Sequence, residues 1–507
     1  MKHVYIIHLT LIFTSFYGFS QESINAKIRD STSQKPIPFA TISINNDSGV
    51  ISNDAGEFVM YLNKKASEND SLIIRCLGYE SKRFLIGTFH DSIVLLNPKS
   101  IELDEILVSN KNYTPEEIIE KAKENLSKNY DFNLTKSKLF FRTSYSTDLL
   151  KNEVTIEKST IPEFNQKFID SLLKAIPKNT DDYTEILSDF YGKTGPKDPQ
   201  KLDIIKAAHL YDKSKEISFE TYEEKINTVL KKRIKRDSYF KIKSGILGTK
   251  QELDASIFDS DKKEKPNETE AFLEEKKKKE QERKNNFLKY KKSDISTLQH
   301  NSFVFENSDL NFLQKSNRYH FKLEDYSFIN DNFVYKISFT PKRSEDYKGV
   351  LYINIDDFAI IRVDYENVKP LKNFSLFGIS YNAYLKKGTF IYTKNTSNKY
   401  ALKYTDVENG SKFGIKRPLK IIEKNKHTQG RRKQNELAAD IHFIVSNREK
   451  KELVIFENET ITETIFTNFE EKPNAEPIYL SKYDPEFWKG YNIIEPNQAI
   501  KDFKSLK

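Results

Sequence analysis

Short runs in which apolar and polar residues alternate recur through the first hundred residues. The runs cover residues 24–28, 39–44, 57–62, 71–76 and 92–96, and turn-forming residues separate them. Strands at this spacing, with turns between them, are typical of a small antiparallel β-sandwich. The pattern therefore predicts such a sandwich over residues 21–108.

A helix is predicted directly after this region. Thr114 is a suitable N-cap, Pro115 fits the first helical position, and Glu117 completes a capping box. Apolar residues then recur at helical spacing, which extends the predicted helix to about Lys128.

The rest of residues 109–300 is predicted to be a mixed helical region. Helical spacing dominates residues 161–230, for example over Leu202–Leu210. Residues 261–294 are dense in Glu and Lys at a spacing of four, which is typical of a solvated helix or hairpin. We interpret this tract as an exposed insertion without a functional site.

Alternation returns in residues 301–507, which are predicted to form an antiparallel β-rich domain. Clear runs at 332–340 and 349–355 are followed by others up to residue 406. They predict a meander of six to eight long strands with many Tyr and Phe residues. The aromatic tail around Trp488 is expected to dock onto the folded body.

The N-terminus resembles an export signal. A basic start is followed by an apolar run over residues 4–19 and by small residues before Gln21. These are the parts of a secretory signal peptide, so we predict cleavage after Ser20 and assign residues 1–20 to the signal. Export places the mature chain in the periplasm or at the outer membrane, with peripheral membrane contact possible.

Composition narrows the function classes. Hydrophobic residues make up 37% of the chain and charged residues 31%, and 36 Phe and 27 Tyr supply large side chains for a core. Cys76 is the only cysteine, which excludes an internal disulfide and a cysteine-based metal site. The net charge of +8 is modest for 507 residues, and with export it argues against nucleic acid as a partner.

Spaced segments of the N-terminal region follow one another in a distinctive order: Ala26–Asp30, Lys35–Ile42, Gly49–Phe58 and Leu77–Glu80, with the exit segment Ile101–Val108. Together they resemble the carboxypeptidase regulatory-like domain of exported proteins of the Bacteroidetes type. The resemblance implies a transthyretin-like β-sandwich whose turns are architectural and carry no chemistry. The whole chain is then such a sandwich followed by an α+β region with a curved antiparallel sheet.

The consecutive strands 334–341 and 349–356 resemble, more loosely, the curved sheet of lipoprotein-carrier domains of the LolA/LolB type. This resemblance implies a concave face that holds an acyl chain or another apolar ligand. The alternative is that the same residues pack on helices of residues 114–230, and this alternative is preferred. The candidate ligand face consists of Tyr335, Ile337, Phe339, Leu351, Ile353 and Ile355.

A search for catalytic chemistry finds no motif. The eight histidines show no H-E-x-x-H spacing, and the chain has no G-x-S-x-G elbow, P-loop or dinucleotide-binding turn. Asp356 and Asp357 are adjacent, so in a strand they would point to opposite faces. We therefore predict no catalytic residue, no cofactor and no metal ligand, and a protein that is not an enzyme.

Two functions remain open after these exclusions. The first is a binding or assembly role in the envelope, with lipid or an envelope protein as partner. The second is a surface protein-interaction module in which the β-sheet is only a scaffold. A hydrolase whose site is assembled from distant residues is a third, less favoured interpretation.

Overall fold

A computed structural model describes residues 23–45, 49–62, 66–99, 113–195, 197–215, 220–235, 238–245, 247–252, 270–329, 332–425, 427, 432–473 and 476–506. The predicted signal peptide 1–20 and the exit segment Ile101–Val108 lie outside these residues.

The described residues divide into two compact units. The N-terminal unit comprises residues up to Glu105 together with Ser327–Asn332 and Asp484–Gln498. The sheet unit comprises Ile106–Tyr326, Phe333–Tyr483 and the C-terminal residues from Ala499 onward.

The N-terminal unit contains two small sheets. One has the order β4-β1-β7 and the other the order β3-β2-β5-β6. The pairing of β1 with β7 is parallel, so the expectation of a purely antiparallel arrangement is wrong for this pair. The strands are β1 Ser23–Asp30, β2 Thr41–Ile44, β3 Gly49–Ile51, β4 Glu57–Tyr61, β5 Ser71–Arg75, β6 Lys82–Leu85 and β7 Ile93–Leu96.

The aromatic tail belongs to this unit. Trp488 is buried, and the Nδ2 of Asn53 donates a hydrogen bond to the carbonyl of Pro496 at 3.2 Å. The backbone N–H of Tyr61 donates to Oδ1 of Asn492 at 2.8 Å. The tail therefore docks, as predicted, and its partner is the N-terminal unit.

The sheet unit is built on one large, open, curved sheet of mixed strand direction. Its order is β13-β14-β15-β16-β18-β19-β20-β8-β9-β10-β21, with β11, β12 and β17 attached to it. The strands are β8 Thr135–Ser159, β9 Asn179–Gly192, β10 Gln200–Tyr211, β11 Ser238–Ser244, β12 Leu247–Glu252, β13 Tyr319–Ile329, β14 Asn332–Pro341, β15 Tyr347–Asn354, β16 Ile360–Asn367, β17 Lys372–Leu376, β18 Ile379–Lys394, β19 Tyr400–Asn425, β20 Lys433–Thr460 and β21 Ile478–Leu480.

Helices connect and cover these strands. In the described part of the chain they are α1 Pro115–Glu124, α2 Leu126–Asn129, α3 Gln166–Ala175, α4 Glu220–Arg233, α5 Glu270–His300, α6 Glu463–Asn468 and α7 Gln498–Lys501. The capping box of Thr114 and Glu117 is confirmed at the start of α1. None of the described helices has a stretch apolar and long enough to span a membrane.

The prediction of a mixed helical region over 109–300 is wrong in its central part. The segment Leu202–Leu210 lies in β10, and β9 precedes it. A β-bulge at Ile205 interrupts the alternation of β10. Because of the bulge, the apolar residues of β10 recur at intervals typical of a helix, and the segment was therefore predicted to be helical.

The charged tract 261–294 also differs from the exposed insertion that was predicted. Its described part forms the N-terminal half of α5, in which residues 277–286 are exposed apart from a half-buried position at Lys284. From Leu288 onward the helix packs into the main core with Ile295 and Leu298. The tract is therefore partly a core element and not merely a solvated insertion.

Candidate functional site

The two faces of the large sheet differ in what covers them. We call face A the side that carries Phe141 of β8 and Leu453 of β20, which lie opposite each other. Face B is the side that carries the next pair in register, Arg142 and Glu452. On face A, Phe141 and Leu453 form a core cluster with residues of α5.

The predicted ligand face lies on face A and is buried. Ile337 and Leu351 are partners in the register of β14 and β15 and have no exposed surface. The ring of Phe339 lies 4.8 Å from that of Phe312 and 5.8 Å from that of Tyr319. The segment 301–319 therefore occupies the space in which an apolar ligand was expected. Phe339 thus contacts this segment, which lies outside the 114–230 region named in the alternative.

One small cavity lies beside this packed region. It measures about 50 Å³, room for one or two water molecules. Gln299, whose buried Oε1 accepts no hydrogen bond from the protein, is part of its lining together with Ser137 and Asn458. A cavity of this size and polarity suits water and is too small for an acyl chain.

A different part of face A is apolar and open. We call it the extension, and it consists of residues 149–159 of β8, 379–385 of β18, 411–422 of β19 and 436–446 of β20, with β17 at its edge. There the strands run on beyond the region that α5 covers. Two complete cross-strand rows are Phe374–Tyr381–Phe413–Val445–Leu149 and Leu376–Ile379–Ile415–Phe443–Asn152.

The register shows that nine of these ten positions are apolar. Further along the strands, Ile441 pairs with Val154, and Ala439 pairs with both Leu419 and Ile156. Arg417 interrupts the apolar surface, and its guanidinium donates a hydrogen bond to the carbonyl of Ser244. The apolar rows thus continue over about 20 Å from residue 413 to residue 419 of β19.

Face B of the extension is polar. Lys416, His442 and Glu153 form one cross-strand row there, and Pro418, Asp440 and Thr155 form the next. Glu436, which is almost completely buried, lies within ion-pair distance of Lys158, Lys420 and Lys433. These hydrogen bonds hold the pKa of Glu436 well below its usual range. The extension is therefore amphipathic, with an ionic and an apolar side.

The apolar side is incompletely covered. Phe374, Leu376 and Phe413 are 51%, 61% and 36% exposed, and the other apolar members of the two rows are half-buried. Contiguous exposed apolar surface of this kind is uncommon on soluble proteins and marks binding sites.

Helix α3 lies beside the rows on the β8 side. The Nδ2 of Asn152 on face A donates to the carbonyl of Leu173, and the Gln166 side chain bonds to the backbone of Val154 and Ile156. Gln166 thereby pairs backbone groups of β8 that have no neighbouring strand. The apolar side chains of α3 are only half-buried and widen the apolar surface: Phe168, Ile169, Leu172 and Leu173.

A polar belt separates the packed region from the extension on face A. Lys451 is bonded to Asp294 of α5 at 2.9 Å and to Glu449 at 3.2 Å. Burial lowers the pKa of Lys451, but the bond to Asp294 and the charge of Glu449 outweigh it and raise the pKa overall. Burial lowers the pKa of the neighbouring Lys291. The apolar rows therefore end at a charged boundary.

The described residues contain no cluster of His, Cys, Asp and Glu that could hold a metal ion. His209 lies 2.7 Å from Asp182, but no serine or cysteine nucleophile is bonded to this pair among the described contacts. Asp357 accepts hydrogen bonds from Tyr400 and from the backbone of Ala359, in the turn that follows β15. Cys76 is buried in the N-terminal unit.

Sequence reasoning missed the extension. The alternation over residues 441–445 and 413–419 was available in the sequence, but neither segment was assigned to a strand. A systematic comparison of the two faces of each long run would have shown one apolar and one polar side. The sequence gives no sign that this face stays open, because its partial cover comes from α3.

No family model matches the chain, and no curated protein matches it. Solved structures similar to it include a proposed outer membrane lipoprotein-sorting protein domain from Vibrio parahaemolyticus (11% identity, TM-score 0.21, 70% of this chain and 97% of that chain). They also include a LolA superfamily protein from Nitrosomonas europaea (11%, 0.18, 70% and 99%) and a DUF1329 family protein from Desulfovibrio piger (9%, 0.16, 66% and 93%). TM-scores this low carry no argument about the chain, whose function must be inferred from its own residues.

Proposed function

We propose that this chain is a non-catalytic binding protein of the cell envelope that holds a long acyl chain on face A of the extension. The observation that carries the proposal is the pair of cross-strand rows in which nine of ten residues are apolar and incompletely covered. The proposed ligand site thus differs from the candidate face at residues 335–355, whose side chains are buried. It lies on the rows that include residues 374–445.

The dimensions of the surface support an acyl ligand. Its apolar rows extend over about 20 Å of strand, which is comparable to an extended long-chain acyl group. The half-buried side chains of α3 would contact the same ligand from the side. A flat polar ligand would gain little on this surface, since few hydrogen-bonding groups interrupt the rows.

The location in the envelope is part of the proposal. It rests on the predicted signal peptide 1–20. We also propose that the two small sheets of the N-terminal unit form the regulatory-like β-sandwich. N-terminal sequencing of the mature protein from a native host tests the cleavage after Ser20.

Binding of a fluorescent fatty acid, parinaric acid, to the purified full chain tests the proposal. The variant Phe443→Asn places an amide in the apolar rows and should weaken binding at least tenfold, since burial of one such side chain contributes about 1.5–3 kcal/mol. The matched control Ile444→Asn changes the neighbouring residue, which lies on face B, and should bind as the wild type does.

Mass spectrometry of the protein purified from its native envelope gives an independent readout. We expect an acyl-containing molecule to copurify with the wild type and to be depleted in Phe443→Asn. Equal binding by both variants, or a wild type that binds no fatty acid, would refute the proposal and leave the protein-interaction role.

A further inference from the structure

The hairpin of β17 and β18 has an unusual turn. Leu376 pairs with Ile379, so the turn consists of Phe377 and Gly378 alone. Their φ angles are 50° and 76°. Positive φ at both central positions is typical of a type I′ turn, which favours Asn or Gly. A residue with a bulky side chain, such as Phe377, rarely adopts this conformation, so the backbone is strained at this position.

The side chains at the turn face solvent. Phe377 is 60% exposed, and its neighbours Phe374 and Leu376 are 51% and 61% exposed. Phe39 and Phe358 also have positive φ, but both are half-buried. Phe377 therefore differs from them in combining backbone strain with an exposed ring.

The turn is firmly attached to the sheet. The backbone N–H of Lys416 donates a hydrogen bond to the carbonyl of Gly378 at 2.7 Å. A Cβ atom at Gly378 would lie 2.1 Å from the carbonyl oxygen of Lys416, so only glycine permits this approach. The exposed apolar residues thus stand on a fixed support.

The charge around the hairpin is positive. Residues 368–387 contain four lysines and neither Asp nor Glu. Lys369, Lys386 and Lys387 form ion pairs with acids of other segments. Lys372 and Lys416 have no ion-pair partner among the described residues, and both are exposed. Lys416, whose backbone bonds to Gly378, therefore lies beside the turn, and Lys372 lies at the opposite end of β17.

We propose that the β17–β18 hairpin is a membrane-contact element that inserts Leu376 and Phe377 into the interface of a bilayer rich in anionic phospholipid. Exposed apolar side chains flanked by lysines gain from both the acyl region and the anionic headgroups. A protein partner would not require the excess of positive charge. Phe374 belongs to the first apolar row, so the contact element is continuous with the extension.

This inference does not depend on acyl binding, because it is tested on vesicles and not with a soluble fatty acid. The purified full chain is sedimented with vesicles of phosphatidylcholine, with or without phosphatidylglycerol. We expect binding to vesicles with phosphatidylglycerol and weak binding without it. Equal binding to both would overturn the assigned role of Lys372 and Lys416.

Two variants test the apolar contact. Phe377→Asn keeps the turn, since Asn accepts positive φ, and Leu376→Ser shortens the neighbouring side chain. Each should lower vesicle affinity about tenfold. Ile465→Ser alters another half-exposed apolar residue, in α6, and should bind as the wild type does. Unchanged vesicle affinity of Phe377→Asn, in a protein that unfolds at no lower temperature than the wild type, would refute the proposal.

Tryptophan fluorescence tests directly whether the hairpin enters the bilayer. Trp488 is the only tryptophan and is buried, so its emission should not respond to vesicles. The variant Phe377→Trp adds an exposed indole at the turn, and we expect its emission to shift to shorter wavelength on vesicles with phosphatidylglycerol. An unshifted emission in vesicle-bound protein would show that another surface makes the contact.

Discussion

The packed region and the extension of face A have the same alternation of apolar and polar residues. Their apolar side chains are buried in the packed region and partly exposed in the extension. In the packed region, Phe141, Leu453 and Ile186 are completely buried beneath α5. In the extension, Phe443 of β20 and Phe413 of β19 occupy equivalent alternate positions on the same face, but they are only partly covered. The comparison teaches that alternation determines which side of a strand is apolar, whereas remote segments determine whether that side becomes core or surface.

Face B shows a partial contrast in its charges, because the buried Glu436 with its three lysines is an exception within the extension. Within the packed region, Arg142 and Glu185 are buried and paired at 2.7 Å, and Lys450 pairs with Glu452. Within the extension, Lys416 and Lys412 are exposed to solvent. The charges of the packed region are therefore structural, because burial makes each of them depend on its partner.

The largest effect should come from truncating the covered part of face A. Phe141→Ala leaves a cavity under α5 and should lower the free energy of unfolding by about 4 kcal/mol. Phe443→Ala in the extension should cost less than about 1 kcal/mol, because its ring is incompletely buried. Urea unfolding followed by circular dichroism measures both. If the free energy of unfolding fell by a similar amount in both variants, the extension would be packed in solution.

The buried charges of face B should give the next largest effect. Arg142→Met removes the buried guanidinium that pairs with Glu185 and should cost about 3 kcal/mol. Burial lowers the pKa of Arg142, and the charges of Glu185 and Glu452 more than offset this and raise it. The double variant Arg142→Met/Glu185→Leu removes the uncompensated charge and should recover most of the loss in the same unfolding experiment. If the double variant were no more stable than the single one, the pair would not be the source of the loss.

The sequence predicted the elements whose alternation is regular. The runs 332–340 and 349–355 correspond closely to β14 and β15, and the capping residues placed α1 correctly. Leu202–Leu210 could not be assigned from its pattern, because the bulge at Ile205 shifts the apolar residues out of register. A single inserted residue is sufficient to make a strand resemble a helix.

The candidate site was less predictable than the elements. Tyr335, Ile337 and Phe339 were correctly expected to share one face of a sheet, but the segment 301–319 that fills this face has no regular pattern of its own. The apolar rows of the extension join the consecutive strands β17, β18, β19 and β20 to β8, which is remote from them in sequence. Their register depends on pairings that local propensity does not specify, so only the three-dimensional arrangement brings these residues together.

A smaller, pH-dependent effect concerns the C-terminal residues that lie on face B. Phe503 packs against Tyr183, and Asp212 accepts hydrogen bonds from Ser214, Ser505 and the backbone of Leu506. Burial alone would raise the pKa of Asp212, but these hydrogen bonds outweigh it and hold the pKa at about 2. The ionised group therefore stabilises the fold above its ordinary pKa of 3.8, and this contribution is lost as the pH falls toward 2.

Asp212→Asn should consequently lower the free energy of unfolding by about 2 kcal/mol at neutral pH. The difference from the wild type should shrink as the pH falls from about 4 to about 2. Asp148→Asn, at an exposed position of β8, should have little effect at either pH. Urea unfolding across this pH range checks the expectation, and a difference that stays constant down to pH 2 would contradict it.

The smallest effect should be a gain in stability at the edge of the extension. Phe377 has a positive φ and little burial, so Phe377→Asn relieves backbone strain and sacrifices few contacts. We expect thermal unfolding to show a stabilisation of about 0.5–1 kcal/mol. Phe358→Asn makes the same change where the ring packs against Tyr113 at 5.6 Å, and it should destabilise the protein instead. A gain at residue 377 that accompanies weaker vesicle binding would indicate that the phenylalanine is retained for membrane contact and not for folding, whereas a loss there would mean that its ring is covered in solution.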